Sequence, residues 1–156
     1  MDSDGLVKRI KANFSLQLGL CREMEAESRR QLEVLQGSGG GSDISAILEK
    51  RRLLMARLDG MAGDNRAMQK QFIDCCGVAE FTLSGIKSCL SIEDWSDLKE
   101  LITEIGEVLR GITAADDHSQ ALMARREGSG AGEKTVPVGH QQARQAYEKA
   151  RGQKKP

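Results

Sequence analysis

Apolar residues return every three or four positions along most of this chain, the spacing that lines one face of an α-helix. In the first third they fall at Leu6, Ile10, Phe14, Leu18, Cys21, Met24, Leu32 and Leu35, which predicts a helix over 4–36. The second half of that segment, REMEAESRRQLE, is dense in charge and predicts a wide solvated face. A longer seam follows at Ile44, Ile47, Arg51, Leu54, Leu58, Met61, Asn65, Met68, Phe72 and Cys75. Its steps alternate three and four, as in a helix packed lengthwise against partners, and it predicts a helix over 43–76. Asp43 stands where an N-cap belongs and Gly77 where the helix stops. The last seam runs Trp95, Leu98, Ile102, Ile105, Leu109, Ile112, Asp116, Ser119, Met123 and predicts a helix over 92–127. Ser91 is its N-cap, with Asp94 three residues on in an arrangement like a capping box.

Glycine punctuates these segments. GSGGGS (37–42) and GSGAG (128–132) bury no side chains and read as flexible joints. Residues 78–90, VAEFTLSGIKSCL, read as a short helix or a packed connector, and Gly85 suits neither well. The expected fold is therefore all-α: an antiparallel bundle of three long helices in residues 1–127, followed by a flexible tail in 128–156. Leu54, Leu58, Met61, Phe72, Leu98, Ile102 and Ile105 are the expected core. Asn65, Asp116 and Ser119 bring polar groups into the seams. Such positions either fix register or mark where the seam opens to water or a ligand. On the second reading the last helix loosens beyond Ile112, and Leu122 and Met123 are left for an outside partner.

Composition sharpens this picture. Aromatic residues are only 3% of the chain and prolines number 2, which disfavours a β-sandwich or barrel. A length of 156 residues excludes a large cofactor enzyme. Formal net charge is zero, which argues against bulk attraction to nucleic acid or anionic lipid. The charge is uneven, however. Residues 128–156 hold six basic and two acidic side chains, and the rest holds 17 basic and 21 acidic. No apolar run is long enough to span a bilayer, and the opening residues lack the pattern of a targeting segment, so the expected compartment is the cytoplasm.

Candidate chemistry is sparse. Cys21, Cys75, Cys76 and Cys89 have no CxxC or zinc-like spacing and read first as small buried hydrophobes. His118 sits beside Asp116 and Asp117, but adjacent helical residues do not face one way. There is no HExxH, no Walker lysine and no serine elbow. The expectation is a protein with no catalysis, no cofactor and no metal. A metal- or redox-active bundle using the cysteines and His118 is the reading furthest from that expectation.

The segments ILEKRRLLMARLDGMAGDNRAM (47–68) and LKELITEIGEVLRGITAADDHSQALM (98–123) resemble the second and last helices of the FlgN family of bacterial flagellar export chaperones. The resemblance covers most of residues 4–127. It departs at ADDHSQ (115–120), where family members often carry asparagines, and residues 77–92 have no clear counterpart. It implies a cytoplasmic chaperone that masks amphipathic terminal helices of flagellar hook-associated proteins and delivers them to the type III export gate. With it, Leu109, Ile112, Leu122 and Met123 are the expected partner-binding residues, and Tyr147 in the tail is a second contact carried over from the family. The alternative is a structural or regulatory coiled-coil protein that self-associates as a homo-oligomer.

Overall fold

A computed structural model describes residues 3–38 and 41–128. The chain is all-α, with no strand among the described residues. Four helices occur in order: α1 (Ser3–Glu33), α2 (Gly41–Cys76), α3 (Leu83–Ile86) and α4 (Ile92–Gly128). The three long ones match the three periodic segments. The tail, with His140 and Tyr147, lies outside the described residues.

The helix ends follow local chemistry. After α1 the chain passes through a wide turn, Val34–Ser38, in which Gly37 has φ 115°, a conformation that disfavours any residue with a Cβ. The helix therefore breaks where the glycines begin. α2 starts at Gly41, so Asp43 lies inside the first turn rather than capping it. Gly77, at φ 69°, ends α2, and its N–H donates to the Ile73 carbonyl at 2.9 Å. Ser91 caps α4 as its sequence position suggests, its Oγ accepting from the Asp94 N–H at 3.1 Å.

Residues 78–91 are a packed connector that also contains a short helix. Thr82 caps α3, its Oγ1 accepting from the Gly85 N–H at 3.0 Å. A Cβ on Gly85 would stand 2.8 Å from that Oγ1 and 3.0 Å from the Glu80 carbonyl oxygen. Glycine is thus required here by close approach, which is why it sits in a segment it otherwise weakens. A 3-10 turn, Lys87–Cys89, follows α3. The connector is anchored by Trp95, whose indole Nε1 donates to the Leu83 carbonyl at 2.7 Å.

The chain divides into two compact units. The first comprises residues up to Cys21 together with Arg57–Val108. Its core is Leu6, Val7, Ile10, Met68, Phe72, Ile86 and Leu98. Phe81 packs edge-on to Phe72 with ring centroids 5.8 Å apart. Among the described residues, the second comprises 22–56 and 109–128, with Met24, Leu35, Ile47, Leu54, Met55, Ile112 and Ala115 buried. Of the expected core, Leu54, Leu58, Phe72, Leu98 and Ile105 are buried, while Met61 and Ile102 are only half-buried.

Candidate functional site

Each unit carries a buried polar cluster, and these clusters are the chemistry of the molecule. In the first unit it is built from amides. Asn13 of α1 donates to the Met61 carbonyl at 3.1 Å. The Asn13 Oδ1 accepts from Asn65 Nδ2 at 2.8 Å and from Gln17 Nε2 at 2.6 Å. The Asn65 Oδ1 in turn accepts from Gln69 Nε2 at 2.5 Å. The spacings 13/17 and 65/69 put each pair on one helix face, and Asn65 enters the seam of α2 as the sequence suggests.

At the first unit's surface Lys11 reaches Asp94 at 2.7 Å and Asp97 at 3.1 Å. Lys11 donates hydrogen bonds to both carboxylates, and these, the one to Asp94 first, hold its ammonium above the ordinary lysine range. The Lys11 hydrogen bond is likewise the main reason the Asp94 carboxyl lies below the ordinary carboxylate range. Thus the Asp94 side chain turns to α1 while its N–H serves the cap.

The second unit holds an ionic cluster. Arg51 is 1% exposed and Asp116 is 5% exposed. The guanidinium grips the carboxylate in a fork, Nη1 to Oδ1 at 2.9 Å and Nη2 to Oδ2 at 2.7 Å. Nη1 also donates to Gln31 Oε1 at 2.6 Å, so α1, α2 and α4 each supply one member. Planar two-point pairing is what arginine does and lysine cannot. Ser28 and Ser119, both fully buried, stand one helical turn from Gln31 and Asp116. Glu27, also buried, pairs with Lys50 at 3.0 Å and Arg30 at 3.2 Å.

Two expectations need correction here. Asp116 and Ser119 do not open the seam; they are buried, because the arginine of the α2 seam meets the aspartate of the α4 seam. The second half of α1 is not simply solvated, since Glu27, Ser28 and Gln31 are buried in it. Continuing a three-four spacing from Leu20 through Met24 leads to Glu27 and Gln31, a signal hidden by their polarity.

The expected partner-binding residues separate on inspection. Ile112 is 0% exposed, so it belongs to the interior of the second unit and has no surface to offer. Leu109, Leu122 and Met123 are half-buried on α4, and Tyr147 lies outside the described residues. In the same unit Leu53 of α2 is 51% exposed. His118 is exposed. Among the described residues no group of three or more His, Cys, Asp or Glu side chains is placed to hold a metal ion, and no helix is long and apolar enough to cross a membrane. Only Cys21 of the four cysteines is buried. Cys75 is exposed, and Cys76 and Cys89 are half-buried. No protein family, curated protein or solved structure matches the chain.

Proposed function

We propose that this chain is a non-catalytic, cytoplasmic helical chaperone of the flagellar export type, its three long helices forming an antiparallel bundle. In this reading it masks the amphipathic terminal helices of flagellar hook-associated proteins and presents them to the export gate. The observation that carries the reading is that Leu109, Leu122 and Met123 remain half-buried on a stretch of α4 held in place by the buried Arg51–Asp116 pair. A braced helix with apolar side chains at its surface suits helix-in-groove recognition, in which an amphipathic partner lays its apolar face against such positions. Methionine adapts to differing partner shapes. Tyr147 joins as a second contact on the family resemblance alone.

Titration calorimetry with a terminal-helix peptide of a hook-associated protein tests this. The double variant Leu122→Asp with Met123→Asp should weaken binding by about tenfold or more, with helicity and melting unchanged. Tyr147→Ala should weaken it less. Sedimentation distinguishes this reading from the self-associating coiled coil. If the chain forms a dimer that those substitutions dissociate, and the peptide does not bind, the chaperone reading fails.

A further inference from the structure

We propose that the second unit opens as one cooperative piece while the first stays folded, a partly open form built into the fold by what each unit buries. Among the described residues the first unit encloses twelve apolar side chains and two polar ones, Asn13 and Asn65. The second encloses seven apolar side chains and six polar or charged ones: Glu27, Ser28, Gln31, Arg51, Asp116 and Ser119. Apolar area removed from water is the main favourable term in folding, so the second unit has the weaker drive to stay closed.

The polar groups are also served differently. In the first unit the Asn13 and Asn65 side chains each donate and accept. In the second, four enclosed side-chain atoms meet no hydrogen-bond partner: Glu27 Oε2, Ser28 Oγ, Arg51 Nε and Ser119 Oγ. Their residues are all 3% exposed or less. Among the described residues the first unit has no such atom. A buried donor or acceptor without a partner bears its full desolvation cost. Opening the second unit gives water to all four atoms. It also rehydrates Arg51 and Asp116, whose attraction is offset in the closed form by the desolvation of two charges. Opening the first unit would instead break amide pairs already made and expose Leu6, Ile10 and Phe72.

The same contacts make the opening cooperative. Arg51 of α2 bonds Gln31 of α1 and Asp116 of α4. One guanidinium therefore ties three helical segments, and its release frees all three together. Local stability in proteins is divided into contiguous pieces that open as wholes. Here the piece of lower stability is 22–56 with 109–128.

Hydrogen exchange of the full chain, followed by mass spectrometry in rising urea below the main transition, tests this. Amides of 22–33, 44–56 and 109–126 should exchange in one step with a common urea dependence, ahead of 6–21, 57–76 and 95–108. Urea dependence marks an opening that exposes buried surface. The chain has a single tryptophan, Trp95, which lies in the first unit and donates to the Leu83 carbonyl. Far-ultraviolet ellipticity, which sums the helices of both units, should therefore fall before Trp95 emission changes. Ser28→Ala with Ser119→Ala removes two of the partnerless atoms and should slow exchange in the second unit by about tenfold or more, leaving the first unchanged. The proposal is overturned if the two optical signals coincide and all protected amides share one opening, or if the first unit exchanges first. Graded exchange from the helix ends without urea dependence would mean fraying and would equally overturn it. So would a double variant whose second unit is not slowed, since the two hydroxyls would then be satisfied in the closed form.

Discussion

Asp116→Ala leaves a guanidinium enclosed by protein with no carboxylate beside it. Removing one partner of a buried pair costs about 3–5 kcal/mol, and urea unfolding should show a loss of that size. Replacing both residues, Arg51→Met with Asp116→Leu, removes the charges together and should recover most of the loss or exceed the wild type. A double variant as unstable as the single one would show that the fork itself, and not the stranded charge, sets the stability. The Lys11–Asp94 pair behaves differently because both side chains are partly exposed, at 23% and 32%. Its worth is bounded by solvent screening at about 1 kcal/mol or less. The sign is fixed by linkage. Asp94 has a folded-state pKa below its unfolded one, so its contribution is complete above the ordinary carboxylate range and fades as acid carries the pH down through the depressed value. Lys11 has a raised one, so its contribution is complete below the ordinary lysine range and is lost at the alkaline end. Asp94→Asn should flatten the acid limb of a stability-against-pH curve and leave the neutral plateau lower by no more than that bound.

At the scale of an element, caps and close approaches decide where helices stop. Ser91→Ala removes the acceptor for the Asp94 N–H and should cost about 1 kcal/mol in thermal or urea unfolding. Gly85→Ala forces a methyl group against Thr82 Oγ1 and the Glu80 carbonyl, so it should undock the connector and shift Trp95 emission while helicity stays nearly unchanged. These ends were legible only in part. Ser91, Gly77 and the break at Gly37 follow from what those residues do to a backbone, and the order of the chain carries that information. Asp43 has the chemistry of a capping residue, but α2 begins two residues earlier, at Gly41. The seams of α2 and α4 were legible because each repeats over many turns. The polar half of α1 was not. Glu27, Ser28 and Gln31 look solvated in isolation, and the partners of Glu27 and Gln31, Lys50 and Arg51, reach them from another helix.

For the whole molecule, burial separates what maintains the fold from what remains available at the surface. Phe72→Ala empties a fully enclosed site and should cost about 3–5 kcal/mol, while Ile102→Ala, at a half-buried site, should cost clearly less; the difference in urea midpoints checks both. The all-α class was legible from periodicity, few aromatics and few prolines together. The candidate surface was less so. Ile112, Leu122 and Met123 look alike as apolar residues of one helix, and only burial takes Ile112 out of the set. The polar seam positions could be read as pins or as an opening. Choosing between them required knowing that Arg51 and Asp116 meet, a pairing across 65 residues of sequence that no local pattern encodes.

The amide cluster of the first unit has a consequence for how the protein ages. Asn13 and Asn65 each act as donor and acceptor at once, and the Met61 carbonyl accepts from Asn13. Deamidation of either residue would replace an NH2 group by a carboxylate oxygen, setting negative charge against an acceptor in a site that excludes water. Within an intact helix the backbone cannot readily fold back on the side chain to start that reaction, so the damage accumulates only in molecules that have opened. Once it has occurred, the altered chain cannot close the same way. The deamidated fraction in stored protein therefore grows with the time this part of the fold has spent open.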